Sequence, residues 1–432
     1  MSTQPACDLS ILIPVNSRPG HLNLVLAGIA ALDLPPAPFQ AEVVVRHTGT
    51  EMPVRDVVQA WQARAPFQQA RAPFQQARAP FQADSPWRLV YDHDPVDSRN
   101  RSENRNAAIL LSTGARLVFL DADCIPVRDF LTGHLRLLAP GHFVCGDALR
   151  LDEAFCAALT PERIAAEDPR TWIAATVRAD QTRRHGRVSR HLKLGNMFKI
   201  PLQGGNFSCW RADLLAINGF DRHFAGWGQE DSDLGARLFL AGKIPVNGVG
   251  LATALHIWHP PLDRPAQWKE GPNVGYFLRP GRMVRCRHGL AAREHGSIAC
   301  AVTVAPGAAA AAHRAALEER LRHAGFGLVQ LPAEADWVLH LCDRPAAPRT
   351  TPHQIGVVLS AAAPRLLQRL FAARSHLAGL RGASWWFLAG ADPAAAQAAV
   401  PERFRGQIGA TAAALGTPIW FDSLLAWLDQ IG

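Results

Sequence analysis

The chain has 432 residues, 48% hydrophobic and 19% charged, with a formal net charge of +8 and a pI near 9.4. That length predicts two or three domains, and the composition excludes a disordered or fibrous chain. The positive charge favours anionic partners such as nucleotide phosphates, acidic glycans or a membrane surface; with no nucleic-acid module or basic-aromatic array, nucleic acid is not expected.

The cysteines (7, 124, 145, 156, 209, 286, 300 and 342) are scattered, without a C-x-x-C or a zinc-like spacing. They predict reduced core thiols. No apolar run approaches the ~18 residues of a membrane span. The opening MSTQPACDLSILIPV lacks the charged, apolar and small-residue regions of a signal peptide. A cytoplasmic protein is the expectation, with peripheral association at the inner face of a membrane as a possible addition.

Leu9 to Val15 is a continuous apolar run, the pattern of a buried parallel strand. A helical spacing over His21 to Leu32 follows and is stopped by prolines 35, 36 and 38. Glu42 to Val45 and Arg88 to Tyr91 read as strands, Asn100 to Leu111 as a helix, and Arg116 to Leu120 as a strand that delivers Asp121 and Asp123 at its end. Strands alternating with helices predict an α/β unit with a mostly parallel sheet. Ligands collect at the carboxyl ends of such strands. Between the second and third strands, ARAPFQQ repeats from Ala63 with prolines at 66, 73 and 80. A proline inside a helix costs ~3 kcal/mol, so the repeat predicts an expanded surface loop, with Phe67, Phe74 and Phe81 in no specific role.

His142 to Leu151 reads as one more strand, and Asp152 to Gly195 as polar and helical. The basic residues Arg183, Arg184, Arg187, Arg190 and Lys193 are equally a solvated face or a surface for pyrophosphate or an anionic acceptor. Residues 203–238 then read strand, turn, short helix, Gly/aromatic loop and acidic helix start. Gly204 and Gly205 allow backbone that a Cβ forbids. Trp227 sits between Gly226 and Gly228, and Glu230, Asp231 and Asp233 fall where a helix dipole favours carboxylates. An acidic run alone is most often a solvated helix start; behind an aromatic flanked by glycines it points to a ligand. A strand ending at Leu255 leads to His256 and His259. Residues 263–296 are a Pro/Gly/Arg-rich extension or linker. A smaller α/β domain over 297–432 is expected from strands at 298–304, 337–342, 355–360, 384–390 and 418–422. Helices are expected near 308–323, 363–378 and 393–412.

Asp-x-Asp after a buried strand suits a hard divalent cation with oxygen ligands, although an Asp at a strand end is often only a turn former. The combination LSILIPV, ENRNAAILLSTGARLVFLDADC, QGGNFSCWRADLLAINGFD, GWGQEDSDLGARL and HIWHP is more specific. It resembles the GT-A fold, family 2 type glycosyltransferases. Its second half is similar to the beta-1,4-galactosyltransferase and chondroitin-polymerase group. The resemblance covers residues 8–260 and implies a GT-A catalytic domain over 1–262, with a Rossmann-like, mostly parallel central sheet.

The resemblance further implies that Asp123 binds Mn²⁺ or Mg²⁺, with Asp121 on the metal or the donor ribose. His256 would be a further metal ligand, with His259 as the competing choice. It implies that Trp227 stacks on a sugar, that Glu230 bonds sugar hydroxyls, and that Asp231 is the general base. Arg105 and Asn106 would lie near the nucleotide or diphosphate, and Pro14, Gly204, Gly205 and Asn206 would line the donor cleft. The implied partners are a nucleotide-sugar donor, with UDP as the best guess, and a glycan, lipid-linked or peptide acceptor. The implied activity is inverting transfer in surface polysaccharide or other glycoconjugate synthesis. One departure stands out: where family 2 enzymes carry Asp-Asp-Gly-Ser after the second strand, this chain has Arg46-His47-Thr48-Gly49-Thr50. Two alternatives compete, a sugar-nucleotide nucleotidyltransferase and a catalytically silent glycan- or peptide-binding protein. IPVNSRPGH, with its single glycine, speaks against the nucleotidyltransferase.

Overall fold

The computed structural model describes residues 7–50, 52–64, 66–67, 85–96, 100–193, 200–226, 228–260, 270–277, 282–305, 309–342, 354–359, 385–389, 393–398, 408–411, 422–426 and 428. The chain forms two units, the first ending at Asn273 and the second beginning at Val274. The boundary therefore falls eleven residues later than the composition change at 262 suggests.

The first unit opens with β1 (Cys7–Val15), α1 (Pro19–Ala30), β2 (Ala41–Thr48), α2 (Met52–Gln62), β3 (Trp87–Asp94), α3 (Arg101–Leu111) and β4 (Gly114–Leu120). It continues through β5 (Cys124–Pro126), α4 (Phe130–Leu137), β6 (His142–Cys145), β7 (Asp147–Arg150), α5 (Glu153–Ala157), α6 (Pro161–Ala166) and α7 (Ala175–Lys193). It closes with β8 (Asn206–Trp210), α8 (Arg211–Ala216), α9 (Glu230–Leu240), β9 (Ile244–Asn247) and β10 (Thr253–His256). Seven strands make one sheet in the order β3-β2-β1-β4-β8-β6-β9. The strands β3, β2, β1 and β4 are mutually parallel, and β8 runs against both its neighbours. This mixed α/β architecture with a large, mostly parallel sheet is the expected one. β1 is apolar on both faces because both are covered: Leu9, Ile11, Leu12 and Ile13 are fully buried, as are Leu22, Val25, Leu26 and Ile29 of α1.

A second, three-stranded sheet in the order β5-β10-β7 branches from the first. Residues 142–151 therefore do not form one strand. β6 joins the large sheet and β7 the small one, with the break at Gly146, where a Cβ would lie 2.3 Å from Asn206 Oδ1. The carboxyl ends of β1, β2, β3 and β4 point to the edge where α3, α9 and β10 place their polar residues.

The segment after β2 also differs from expectation. α2 precedes the repeat, and Phe67, in its first copy, is fully buried. Its ring meets Trp61 and Trp87 edge-on, with centroids 6.2 and 5.8 Å apart. The repeat thus begins as core; Phe74 and Phe81 lie outside the described residues.

The second unit contains a six-stranded, all-parallel sheet built from β11 (Ala299–Val304), β12 (Gly327–Leu328), β13 (Trp337–Cys342), β14 (Gln354–Leu359), β15 (Trp385–Ala389) and β16 (Ile408–Thr411). Their order is β12-β11-β13-β14-β15-β16. α11 (Arg314–His323, with α10 at Val274–Phe277) buries Leu317 and Leu321 against Cys300, Val302, Leu339 and Leu341. A smaller α/β unit is as expected, with two local corrections. Ile408–Thr411 is a strand rather than a helix end, pairing parallel with β15. Asp422 begins a helical stretch rather than ending a strand. Most of the expected strand at 418–422 and the expected helix near 363–378 lie outside the described residues.

All eight cysteines are free, and seven of them are buried. Among the described residues no helix is long and apolar enough to cross a membrane. Phe67→Ala is expected to cost about 3–5 kcal/mol, the usual penalty for emptying an aromatic core position; chemical denaturation of the variant measures it.

Candidate active site

The site grows from two strand ends. β4 stops at Leu120 and hands the chain to Asp121, whose N–H donates to Gly205 O at 3.1 Å. A tight turn through Asp123 leads into β5, which pairs antiparallel with β10 so that Cys124 faces His256. Ile257 N–H then donates to Asp123 O at 2.8 Å. This register brings the Asp123 carboxylate to both histidines. Asp123 Oδ1 lies 3.7 Å from His256 Nε2, and Oδ2 lies 3.4 Å from His259 Nε2. The three ligand atoms sit within 4.8 Å of one another. One carboxylate and two imidazoles on a half-buried turn are a donor set that fits a divalent cation. Asp121 is not in this group. Its carboxylate meets Arg105 Nη2 at 3.3 Å. His256 and His259 both lie beside Asp123, so the geometry does not choose between them.

Opposite the turn stands Arg105, on α3 and only 3% exposed. Its Nη1 donates to Glu230 Oε1 at 3.0 Å and its Nη2 to Asp121 Oδ1 at 3.3 Å. Burial works against this charge, but Asp121 and Glu230 together push the guanidinium pKa up. The two glycines are required by crowding, because a Cβ on Gly204 would lie 2.5 Å from Arg105 Nη2. A Cβ on Gly205 would lie 2.6 Å from Asp121 Oδ2. Neither has a positive φ, so the conformational freedom expected of them is not what the site uses.

Positive φ occurs instead at Gly226 (72°), Gln229 (74°) and Gly228 (97°), around Trp227, which lies outside the described residues. Asn273 Nδ2 ties this loop by donating to Ala225 O and Gly228 O, each at 2.9 Å. α9 then starts at Glu230, as the acidic run predicts. The three acids have three fates. Glu230 is bound to Arg105, and Asp233 is fully buried against Arg237 Nε at 2.6 Å. Asp231 accepts the N–H of Gly204 at 3.1 Å and that of Ser232 at 2.6 Å. Burial and the neighbouring Glu230 push the Asp231 pKa up to about 6, against the opposing pull of Arg105 and the two N–H groups.

A cavity of about 190 Å³ joins these parts, its wall including Arg101, Arg105, Asp121, Glu230, Asp231 and His256. Residues 195–256 match the family model described as the N-terminal domain of galactosyltransferase. The match spans the paired glycines, Glu230, Asp231 and His256, but not Asp121 or Asp123. No curated protein sequence matches the chain. Among solved structures it is similar to the mannosyltransferase PcManGT from Pyrobaculum calidifontis in complex with GDP-Man and Mn²⁺, at 14% identity and TM-score 0.37, covering 66% of this chain and 62% of that one. It is also similar to S. aureus TarS 1–349 in complex with UDP-GlcNAc, at 11% identity and TM-score 0.40, covering 63% of this chain and 64% of that one. The chain spans less than two thirds of either structure, and likeness of this degree bears on neither the site nor its chemistry.

Several expected contacts lie elsewhere. Asn206 is fully buried: Nδ2 donates to Asp147 O at 2.7 Å and Ala252 O at 2.9 Å, while Oδ1 faces His134 Nε2 at 2.9 Å. His134 must carry its proton on Nε2 and accept from Ser208 Oγ at Nδ1. Burial pushes its pKa down to about 4, so it stays neutral. Asn206 therefore stitches the two sheets together; both its amide N–H groups are used and the side chain is fully buried. Asn106 is likewise occupied, exchanging hydrogen bonds of 2.8 Å with both backbone groups of Phe220. Pro14 pairs with Arg46 inside the sheet, away from the cavity wall.

The departure after β2 has a structural counterpart. Arg46 is ion-paired with Asp92 and with Asp94 of β3, so acids stand one strand over and are already neutralised. His47 is buried, stacked on His93 at 4.6 Å and bonded to Tyr91 Oη at 2.8 Å. On α7, Arg184 is pinned to the buried Asp147, whereas Arg183 pairs with Asp180 and is 70% exposed. Motif reading passes over Arg101, Gln203 and Cys124. Arg101 could be found from its place four residues before Arg105, on the same helix face. Arg18 carries a different signal: a left-handed φ of 68° ahead of Pro19, with Nη1 3.4 Å from Asp123 Oδ2. Asn206→Ala is expected to lower stability by about 2–4 kcal/mol, through unpaired backbone carbonyls and His134, while nucleotide affinity of the folded protein stays unchanged. Denaturation and nucleotide titration separate the two effects.

Proposed function

We propose that the protein is a metal-dependent, inverting glycosyltransferase that moves a sugar from a nucleotide-sugar, UDP-linked, to an acceptor hydroxyl in glycoconjugate synthesis. What supports the reading is one juxtaposition: Asp231, with its raised pKa, lines the same cavity as His256 of the Asp123–His256–His259 cluster. Held by those three residues, Mn²⁺ or Mg²⁺ would supply a Lewis acid for the charge on the departing diphosphate.

The chain's own residues account for the rest. An alcohol is a weak nucleophile at neutral pH, and a positioned carboxylate that takes its proton contributes ~10²–10⁴-fold. The N–H groups of Gly204 and Ser232 fix the Asp231 oxygens. As the acceptor oxygen bonds to the anomeric carbon, the bond from that carbon to the diphosphate oxygen breaks. The hydroxyl proton passes to Asp231. Glu230 and Asp121 are both tied to Arg105, which withdraws them from covalent attack on the sugar and leaves a single displacement with inversion. Trp227, on its glycine-flanked loop, would cover a sugar face.

Three outcomes test this. Asp231→Asn is expected to lower turnover by ~10²–10⁴-fold with nucleotide binding retained, measured by sugar transfer and calorimetry. Asp123→Ala is expected to abolish the Mn²⁺-dependent rise in melting temperature that a UDP-sugar gives the wild type. At 100 times the dissociation constant, that rise reports ~2.7 kcal/mol. Because Asp231 must be ionised to act, the rate should climb with pH through about 6. The stability sign is opposite. A carboxylate whose folded pKa is raised binds its proton more tightly when folded, so stability falls as pH rises from the unfolded value of about 4 to about 6. Asp231→Asn should remove that fall; a variant whose stability keeps the wild-type pH slope would overturn the assignment.

A further inference from the structure

Helix α7 has one fastened face and one cationic face. On the first, Gln181 Nε2 donates to Asp147 Oδ2 at 2.8 Å and to Thr253 Oγ1 at 3.2 Å, and Arg184 pairs with the fully buried Asp147. Val249 O accepts from His185 Nδ1 at 2.9 Å, and Asn247 Nδ2 donates to Ser189 Oγ at 2.8 Å. Val188, between them, is buried. Positions 181, 184, 185 and 188 share one side of a helix, so the opposite side is turned outward. There Arg183, Arg187 and Arg190 follow one another at i, i+4 and i+7, all exposed. Arg183 pairs with Asp180. Arg187, Arg190 and the terminal Lys193 make no side-chain hydrogen bond or ion pair among the described residues. The helix carries six Arg and Lys against a single Asp, a formal +5 within the chain's net +8.

The helix dipole accounts for Arg190 and Lys193, which stand in the last turn. It does not account for Arg183 and Arg187. Like charges one turn apart weaken a helix, and so does the glycine between them, Gly186. The row is therefore borne at a cost to the helix, which its fastened face offsets, and anions brought from outside would relieve it. Arg183 to Arg190 spans about 10 Å along the helix. Only Gly186 and Arg187 share the face between them, and a Cβ on Gly186 would meet nothing within 4 Å. The row thus offers no ring for a base to stack on and no apolar side chain to enter hydrocarbon. A plane of phosphate charges would meet its arginines together. We propose that this face of α7 docks the protein on an anionic phospholipid surface, with the arginines on the headgroup phosphates and the helix lying flat without insertion. None of these residues lines the cavity, and the docking is independent of the chemistry there.

The test sediments the full chain with vesicles of phosphatidylcholine alone and of phosphatidylcholine and phosphatidylglycerol in equal parts. The protein should bind the anionic vesicles only, and about 1 M salt, which screens charges beyond roughly 3 Å, should release it. Arg187→Gln and Arg190→Gln should each weaken binding about fivefold, and Arg183→Gln, whose cation is shared with Asp180, by less. The triple glutamine variant should lose most of the binding and melt no lower than the wild type, since the repulsion along the row is gone. Arg187→Lys should bind as the wild type does, because charge rather than a forked geometry is read. Equal binding to both vesicles, or anionic binding that survives the triple variant, overturns the proposal. So does duplex DNA bound more tightly than the vesicles at the same salt with the same dependence on the arginines, which would give the face to nucleic acid.

Discussion

The site depends on one buried cation. Arg105 is nearly inaccessible, and a guanidinium there is tolerable only with acidic oxygens on both sides. It therefore binds the end of β4, through Asp121, to the start of α9, through Glu230. Those two places are more than a hundred residues apart in sequence, and their separation sets the position of Asp231. The same crowding leaves no room for a Cβ at 204 or 205. The glycines, the aspartate after the strand and the glutamate of the helix are thus parts of a single steric and electrostatic arrangement. Removing either acid would leave the buried guanidinium with one acidic partner instead of two.

A second arrangement, wholly neutral, does the corresponding work between the sheets. Asn206, His134 and Ser208 satisfy one another and two backbone carbonyls where β6 gives way to β7. This network joins the large sheet to the small one that carries His256, and the cost of breaking it falls on stability.

Much of this was legible in the chain itself. Apolar runs such as Leu9–Val15 announce strands covered on both faces, and the acidic run after Gly228 announces a helix start, because both signals are local. What escaped the sequence is non-local. Asn206 and Asn106 look like cleft residues, yet their amides are used up by partners 72 and 114 residues away. Asp121 and Asp123 look like a matched pair, yet only a buried arginine on another element reveals that they face in different directions. Phe67 belongs to a repeat that reads as surface, and its burial depends on Trp61 and Trp87 closing around it.

Asn273 is the last residue of the first unit, well past the point where the sequence changes character. Its amide holds the carbonyls on both sides of the Trp227 loop, Ala225 and Gly228. A catalytic fragment cut at 262, where composition suggests a natural end, would keep every acid and histidine of the cavity and lose the pin of its aromatic loop. Such a fragment would hold the Asp123–His256–His259 turn and leave the Gly226–Gly228 loop without its tie.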